Sequence, residues 1–323
     1  MNPILILLGG LAILRSLASL IDSVRYRKTA ENALEEAYPH FAPKVSLIVP
    51  CKGIDPGFDD NIRSLLNQDY QHFEIIFVTE TTDDPAYSRL KDILSRINRS
   101  ASKLVTAGVT DKCAQKIHNL LHAVQKANAE AEVLVFADSD IRVHGSWLRH
   151  LVRPLQDQRV GATTGYRWYM PIKGNFWSLV RSVWNMTSAN VLFSNKYNFA
   201  WGGSMAIRKD TFEALHIARK WQTGLSDDMI LSQAVKAGGY GIKFVPQSIV
   251  ATYEKTSWRS LLEWTSRQLT IVRMYEPKLW KFAAFPQWLF NFIFLLGFYL
   301  VMKGWLTNTA IPVAVWLMMS DLP

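Results

Sequence analysis

Two carboxylates spaced two residues apart, Asp138 and Asp140, close an unbroken apolar run at 133–137. Such a run, stopped by polar residues, reads as a buried strand. In an open α/β sheet, ligands collect at the carboxyl ends of the strands. Carboxylates delivered there are hard oxygen ligands suited to Mg²⁺ or Mn²⁺, and an ion so held would seat a diphosphate. A buried strand followed by an ordinary polar turn is the plainer alternative. Three more sites share this placement. Glu80, Asp83 and Asp84 follow the apolar run 73–79. Lys116 stands at a loop-to-helix boundary, where a lysine meets either a phosphate, as a point charge, or solvent. Asp227 and Asp228 open a helix, a position that the helix dipole favours for acids on its own account. Displacing a metal-bound diphosphate calls for carboxylates and a cation on the leaving side, and a separate carboxylate to take the attacking proton. Taken together, the four sites offer that division. Gly202 and Gly203, in Trp201-Gly202-Gly203-Ser204, either form a tight turn or let a sugar or phosphate approach the backbone closely.

The elements that must position these residues alternate. Apolar runs at 45–49, 73–79, 104–106 and 133–137 predict strands, and apolar residues at helical spacing predict helices between them. Pro85 takes a favoured first helical position after Asp83-Asp84. Four strand-helix alternations within about a hundred residues predict a doubly wound, mostly parallel sheet. Further strands are expected at 161–168, 204–207 and 240–245, with helices at 176–190 and 228–236.

With 323 residues, the chain can hold one large domain or two small ones. Its net charge of +9 suits nucleic acid, anionic lipid or a phosphorylated substrate. No nucleic-acid motif accompanies that charge, so nucleic acid is not expected as a partner. Cys51 and Cys113 stand outside any metal-ligand spacing and form no disulfide framework. At the ends, residues 3–20 are mostly apolar and are followed by Arg25, Arg27 and Lys28, the order of an uncleaved anchor with the next residues in the cytoplasm. Residues 284–302 carry no charge and are long enough to span a bilayer, or else form a buried core helix. The apolar piece at 310–319 is too short to span. Between them, 255–282 combines Trp258, Trp264 and Trp280 with Arg259, Glu263 and Arg267. It reads either as a helix in the membrane interface or as an ordinary amphipathic surface helix.

Six pieces occur in order: Pro50-Cys51-Lys52-Gly53-Ile54-Asp55-Pro56, Asp83-Asp84-Pro85-Ala86, Gln115-Lys116-Ile117-His118-Asn119-Leu120, Asp138-Ser139-Asp140-Ile141-Arg142-Val143, Arg208-Lys209-Asp210 and Asp227-Asp228. Through them the sequence resembles a family-2 glycosyltransferase of the ceramide glucosyltransferase-like branch. The resemblance implies a glycosyltransferase A-type fold, a UDP-sugar donor and an inverting mechanism. It implies Asp84 in the nucleotide site, Lys116 near the diphosphate, Asp138 on nucleotide or metal, and Asp140 on the divalent ion. Asp228 is implied as general base, with Asp227 its substitute. Family members carry a Gln/Arg-x-x-Arg-Trp motif after the base. Here Arg267 is present, but Thr270 and Ile271 replace Arg-Trp. Animal ceramide enzymes have Gly where this chain has Asp140, a departure that favours metal binding.

The resulting expectation is an integral membrane protein whose catalytic domain faces the cytoplasm. It would have an anchor at 1–24, a transferase domain at 43–254, an interfacial segment at 255–283 and a transmembrane region at 284–323. It would move a hexose, glucose above all, from a UDP-sugar to a lipid hydroxyl such as that of ceramide, using Mg²⁺ or Mn²⁺. The donor site would comprise Asp84, Lys116, Asp138, Gly202, Gly203 and Arg267. A polysaccharide or hopanoid-type transferase, and an inactive membrane-bound sugar-nucleotide binder, are the rival readings.

Overall fold

A computed structural model describes residues 41–97 and 101–278, together with isolated helical positions between 14 and 34 and between 280 and 295. The chain divides into two compact units, residues 33–264 and residues 1–32 with 265–323. The first holds β1 (Val45–Pro50), α1 (Phe58–Leu66), β2 (Phe73–Thr79), α2 (Pro85–Arg96), β3 (Ser102–Thr106), α3 (Gln115–Gln125) and β4 (Val133–Ala137). It continues through α4 (Trp147–Val152), β5 (Val160–Pro171), α5 (Phe176–Ala189), β6 (Ser204–Arg208), α6 (Lys209–Ala214), α7 (Ile217–Trp221), α8 (Asp227–Ala237) and β7 (Gly241–Glu254). Helix α9 (Trp258–Tyr275) begins in this unit and ends in the other.

Alternate residues of the buried strands feed two cores. Leu47, Val49, Ile75, Phe77, Val133 and Val135 pack under α1, α2 and α4. Ile48, Ile76, Val78, Leu134 and Phe136 pack under α3, α6, α7 and α8. Both faces of the sheet are therefore covered, which is why these strands are apolar throughout instead of alternating.

The seven strands run in the order β3-β2-β1-β4-β6-β5-β7. The pairs β1–β2, β2–β3, β1–β4 and β5–β7 are parallel, as the strand-helix alternation predicts. Strand β6 is the exception, antiparallel to both β4 and β5. The reversal sets Ser204, at the start of β6, opposite Ala137 at the end of β4, so Gly202 and Gly203 arrive beside Asp138. Strand β5 runs in the same sense as β4 and pairs with β6 only as far as Thr164, so its later residues lie beyond that pairing. Strand β7 continues past the expected end at 245 to Glu254. Gln247 and Ser248 break its apolar pattern, yet Ser248 is buried and donates to the Trp147 carbonyl, and the pairing with β5 resumes beyond it.

Among the described residues no helix is long and apolar enough to cross a membrane. The expected spans at 3–20 and 284–302 lie mostly outside the described residues, and the apolar piece 310–319 lies entirely outside them.

Candidate active site

At the carboxyl edge of the sheet five charged side chains form one chain of ion pairs. Lys116, in the first turn of α3, places Nζ 2.9 Å from Asp138 Oδ1 and 3.2 Å from Asp227 Oδ2. Arg167 of β5 holds the other side. Its Nη2 lies 2.7 Å from Asp138 Oδ2, and the guanidinium grips Asp140 through both oxygens, at 2.6 and 2.8 Å. Such a fork is stronger and more directional than a single contact. The guanidinium also stands 5.0 Å from the Trp201 ring centre and 5.4 Å from that of Tyr169, close enough for cation–π attraction. Three carboxylates against two cations leave the cluster one negative charge when all are ionised.

Burial and charge pull against each other here. Burial opposes the Asp138 carboxylate, but the adjacent Lys116 and Arg167 cations outweigh it and hold Asp138 below the usual range. Burial likewise disfavours charge on Lys116 and Arg167. The surrounding carboxylates prevail, and both cations are held above their ordinary values. Asp227 goes the other way. Burial pushes its carboxyl up to about 6, Asp228 and Asp138 push in the same direction, and Lys116 only partly offsets them. Its Oδ2 is buried, with the Lys116 ammonium 3.2 Å away as its ion-pair partner.

The neighbouring carboxylate is placed differently. Asp228 is half-buried, and its Oδ1 accepts from its own helix, at Met229 N (2.7 Å), and from the Ser226 hydroxyl. Asp84 is the N-cap of α2, where its Oδ1 accepts from Ala86 N and Gly53 N, both at 2.8 Å. Among the described residues no ion pair links Asp84 to the cluster; it fastens the loop after β1 to the start of α2. Gly202 and Gly203 are required by the site's own side chains. A Cβ on Gly202 would lie 2.4 Å from Asp227 Oδ2 and 3.2 Å from Lys116 Nζ. One on Gly203 would lie 2.1 Å from the Trp201 ring and 2.6 Å from Asp138 Oδ2. Arg267 is exposed on the part of α9 that belongs to the other unit.

Arg167 is the site residue that the sequence reading passed over. It lies inside a segment read as a strand, with apolar or aromatic neighbours on both sides. A charge in a buried strand is costly unless paired, and that cost was the available signal of a partner.

Whether a divalent ion suits these residues can be judged from the oxygens. Asp138 and Asp140 already converge on a cation, the Arg167 guanidinium, and are the hard donors such ions take. Among the described residues no group of three or more His, Cys, Asp or Glu side chains is placed to hold a metal. Two carboxylates still suffice for an ion such as Mg²⁺, which usually keeps waters and takes substrate phosphates for the rest of its shell. The residues fit on those terms.

The fold of the seven-stranded sheet has a parallel among solved structures. The mannosyltransferase PcManGT from Pyrobaculum calidifontis, in complex with GDP-Man and Mn²⁺, matches with a TM-score of 0.53 at 20% identity, over 81% of this chain and 72% of that one. The fold is thus glycosyltransferase A-like. The model of glycosyl transferase family 21 matches residues 10–321, and the chain belongs to that family. A curated relative, ceramide glucosyltransferase 3 of Caenorhabditis elegans, is 31% identical over 85 residues. That match takes in 26% of this chain, and the chain spans only 18% of the relative's length. The resemblance drawn from the motifs was to family 2 and its ceramide glucosyltransferase-like branch; the matching family is numbered 21, and the curated relative carries the ceramide enzyme's name.

Proposed function

We propose that this chain transfers a hexose, glucose foremost, from a UDP-sugar to the hydroxyl of a membrane lipid such as ceramide, with inversion at the sugar carbon. The observation that carries this reading is the split arrangement at the sheet edge. Asp138, Asp140, Lys116 and Arg167 form one connected cluster, while Asp228 stands half-buried at the start of α8 with one oxygen occupied by its own helix.

In this reading Asp138 and Asp140 would hold Mg²⁺ or Mn²⁺, which would supply positive charge to offset that of a departing diphosphate. Lys116 adds a second positive charge on the same side. The acceptor oxygen forms its bond to the sugar carbon as the carbon–oxygen bond to the diphosphate breaks. UDP leaves with that electron pair, and the acceptor's proton passes to Asp228. A base must reach the proton it removes, which favours the half-buried Asp228 over the enclosed Asp227. Asp227 then serves to hold Lys116. Asp84 would act at one remove, fixing the loop after β1 near the nucleotide, and Gly202 and Gly203 would keep room for the cluster. A lipid acceptor accords with the name of the curated relative and with the apolar segments at the two ends of the chain. Membrane residence and a cytoplasmic catalytic domain belong to the same proposal.

Membranes containing the protein, incubated with radiolabelled UDP-glucose or UDP-galactose, should label a lipid, and extraction would identify it. Asp228→Asn should lower transfer by about a hundred- to ten-thousandfold while leaving UDP affinity within about twofold, because a base contributes to the reaction step and not to donor binding. Transfer near the wild-type rate would remove Asp228 from the base role.

A further inference from the structure

Helix α5 is inside out. On a water-facing helix the apolar stripe turns inward and the polar face outward. Here Phe176, Leu179, Val183 and Met186, at spacings of three, four and three, are 67, 49, 44 and 41% exposed. The face turned into the protein is largely polar. Ser178 is buried and accepts from Thr256 N at 2.8 Å. Arg181 pairs with Glu254 and donates to the Tyr169 hydroxyl. Ser182 donates to the Tyr169 carbonyl, and Asn185 to the Arg167 carbonyl. Val180 and Trp184 add apolar packing against Tyr169, Leu261 and Trp264, and Ala189 against Tyr166, Leu192 and Phe244.

The exposed apolar surface continues beyond α5. Trp168, Met170 and Ile172, alternate residues near the end of β5, are 41, 38 and 52% exposed. Trp258 and Leu262, in the first turns of α9, are 50 and 54% exposed. The two helices meet through Trp184 and Trp264, whose rings lie 5.0 Å apart. Around this surface stand exposed Lys173, Lys255 and Arg259, against exposed Glu263.

We infer that the outward face of α5, with the end of β5 and the start of α9, inserts shallowly into an anionic lipid bilayer. Aromatic and aliphatic residues rimmed by cations are the composition of an interfacial surface. Charge separates this occupant from a second copy of the chain. A two-fold contact would set the same cations against their own image, whereas anionic headgroups neutralise them. The inference rests on the proposed lipid acceptor for its use, and it supplies a path. Five residue steps, the last of them one position past the end of β5 at Pro171, separate Arg167, at the carboxylate cluster, from Ile172. At about 3.3 Å each, that is roughly 17 Å, the length of strand between the lipid-facing end and the cluster.

The test places a nitroxide on full-length protein, with Cys113 changed to Ser, in vesicles of phosphatidylcholine mixed with phosphatidylglycerol. Leu179→Cys carries the label on the proposed face and Lys91→Cys on the exposed side of α2; Val183→Cys repeats the measurement should Leu179→Cys fail to fold. Power-saturation spectra with oxygen and with a water-soluble nickel chelate should show the α5 label reached by oxygen and shielded from nickel, its oxygen-to-nickel ratio at least fivefold above that at position 91. Equal ratios would overturn the inference. So would shielding from both reagents, which with spin–spin broadening marks a second copy and without it marks the chain's own residues. Transfer to lipid is assayed separately. A lipid-facing label with no lipid product would fail the proposed function alone, and lipid product with a water-facing label would fail this inference alone.

Discussion

Lys116 is shared between Asp138 and Asp227, so the strength with which it meets an incoming diphosphate depends on how firmly those carboxylates retain it. Asp227 is the adjustable partner, because burial has brought its carboxyl up to about 6. Above that pH it is charged and competes with the donor for Lys116; below it the acid is neutral and the lysine is less compensated. An anionic donor therefore binds the protonated form better, and by linkage its affinity rises as pH falls from about 7.5 through 6, by no more than about tenfold per unit for one proton. Calorimetric titration with UDP-glucose should show that rise, and Asp227→Asn should flatten it. The same slope in Asp227→Asn would assign the proton to another group. The sequence carried much of this cluster. Asp138, Asp140, Lys116 and Asp227 are all polar residues just past apolar strands or at helix starts, where the fold concentrates ligands. It did not carry Arg167, whose importance comes from a strand paired out of sequence order. The resemblance ranked Asp228 above Asp227, but the difference in their burial was not legible, since adjacent residues in a helical first turn differ in burial only once the neighbouring loop is in place.

At the scale of elements, the site depends on the reversal of β6. The apolar runs of β1, β2 and β4 were readable because strands covered on both faces are apolar throughout. The direction of β6 was not, because five buried residues look alike in either sense. That reversal carries Gly203 against Trp201 and Asp138, where a methyl group would have to displace an indole that Tyr166 and Arg167 also contact. Gly203→Ala should therefore cost about 1–3 kcal/mol, the usual toll of overpacking, and lower UDP-glucose affinity at least tenfold by moving Asp138. Gly53→Ala is the comparison. Gly53 has φ +65° and open space around its missing Cβ, so it should lose only about 1 kcal/mol from the left-handed backbone and little affinity. Thermal melting and donor titration of the two variants separate the effects; equal losses of affinity would show that crowding at β6 is not what holds Asp138.

For the molecule as a whole, the proposed function raises the question of which concentration of lipid acceptor this chain experiences. A cation-rimmed apolar face on the unit 33–264 and a net charge of +9 both favour residence on an anionic bilayer. An enzyme held there meets a lipid acceptor in two dimensions, so its rate follows the acceptor's mole fraction in the membrane and not its amount in the whole sample. With the protein reconstituted in phosphatidylglycerol-containing vesicles at fixed total ceramide, adding inert phosphatidylcholine should lower the transfer rate nearly in proportion to the dilution, a tenfold dilution giving a severalfold fall or more. The phosphatidylglycerol fraction is kept constant so that binding to the surface does not change. A soluble, short-chain acceptor at fixed total concentration should show little of this dependence, because it reaches the site through water. A rate that tracks total ceramide regardless of dilution would mean that the acceptor leaves the bilayer before it reacts, and the roughly 17 Å between the carboxylate cluster and the apolar end of β5 would then have no part in delivering it.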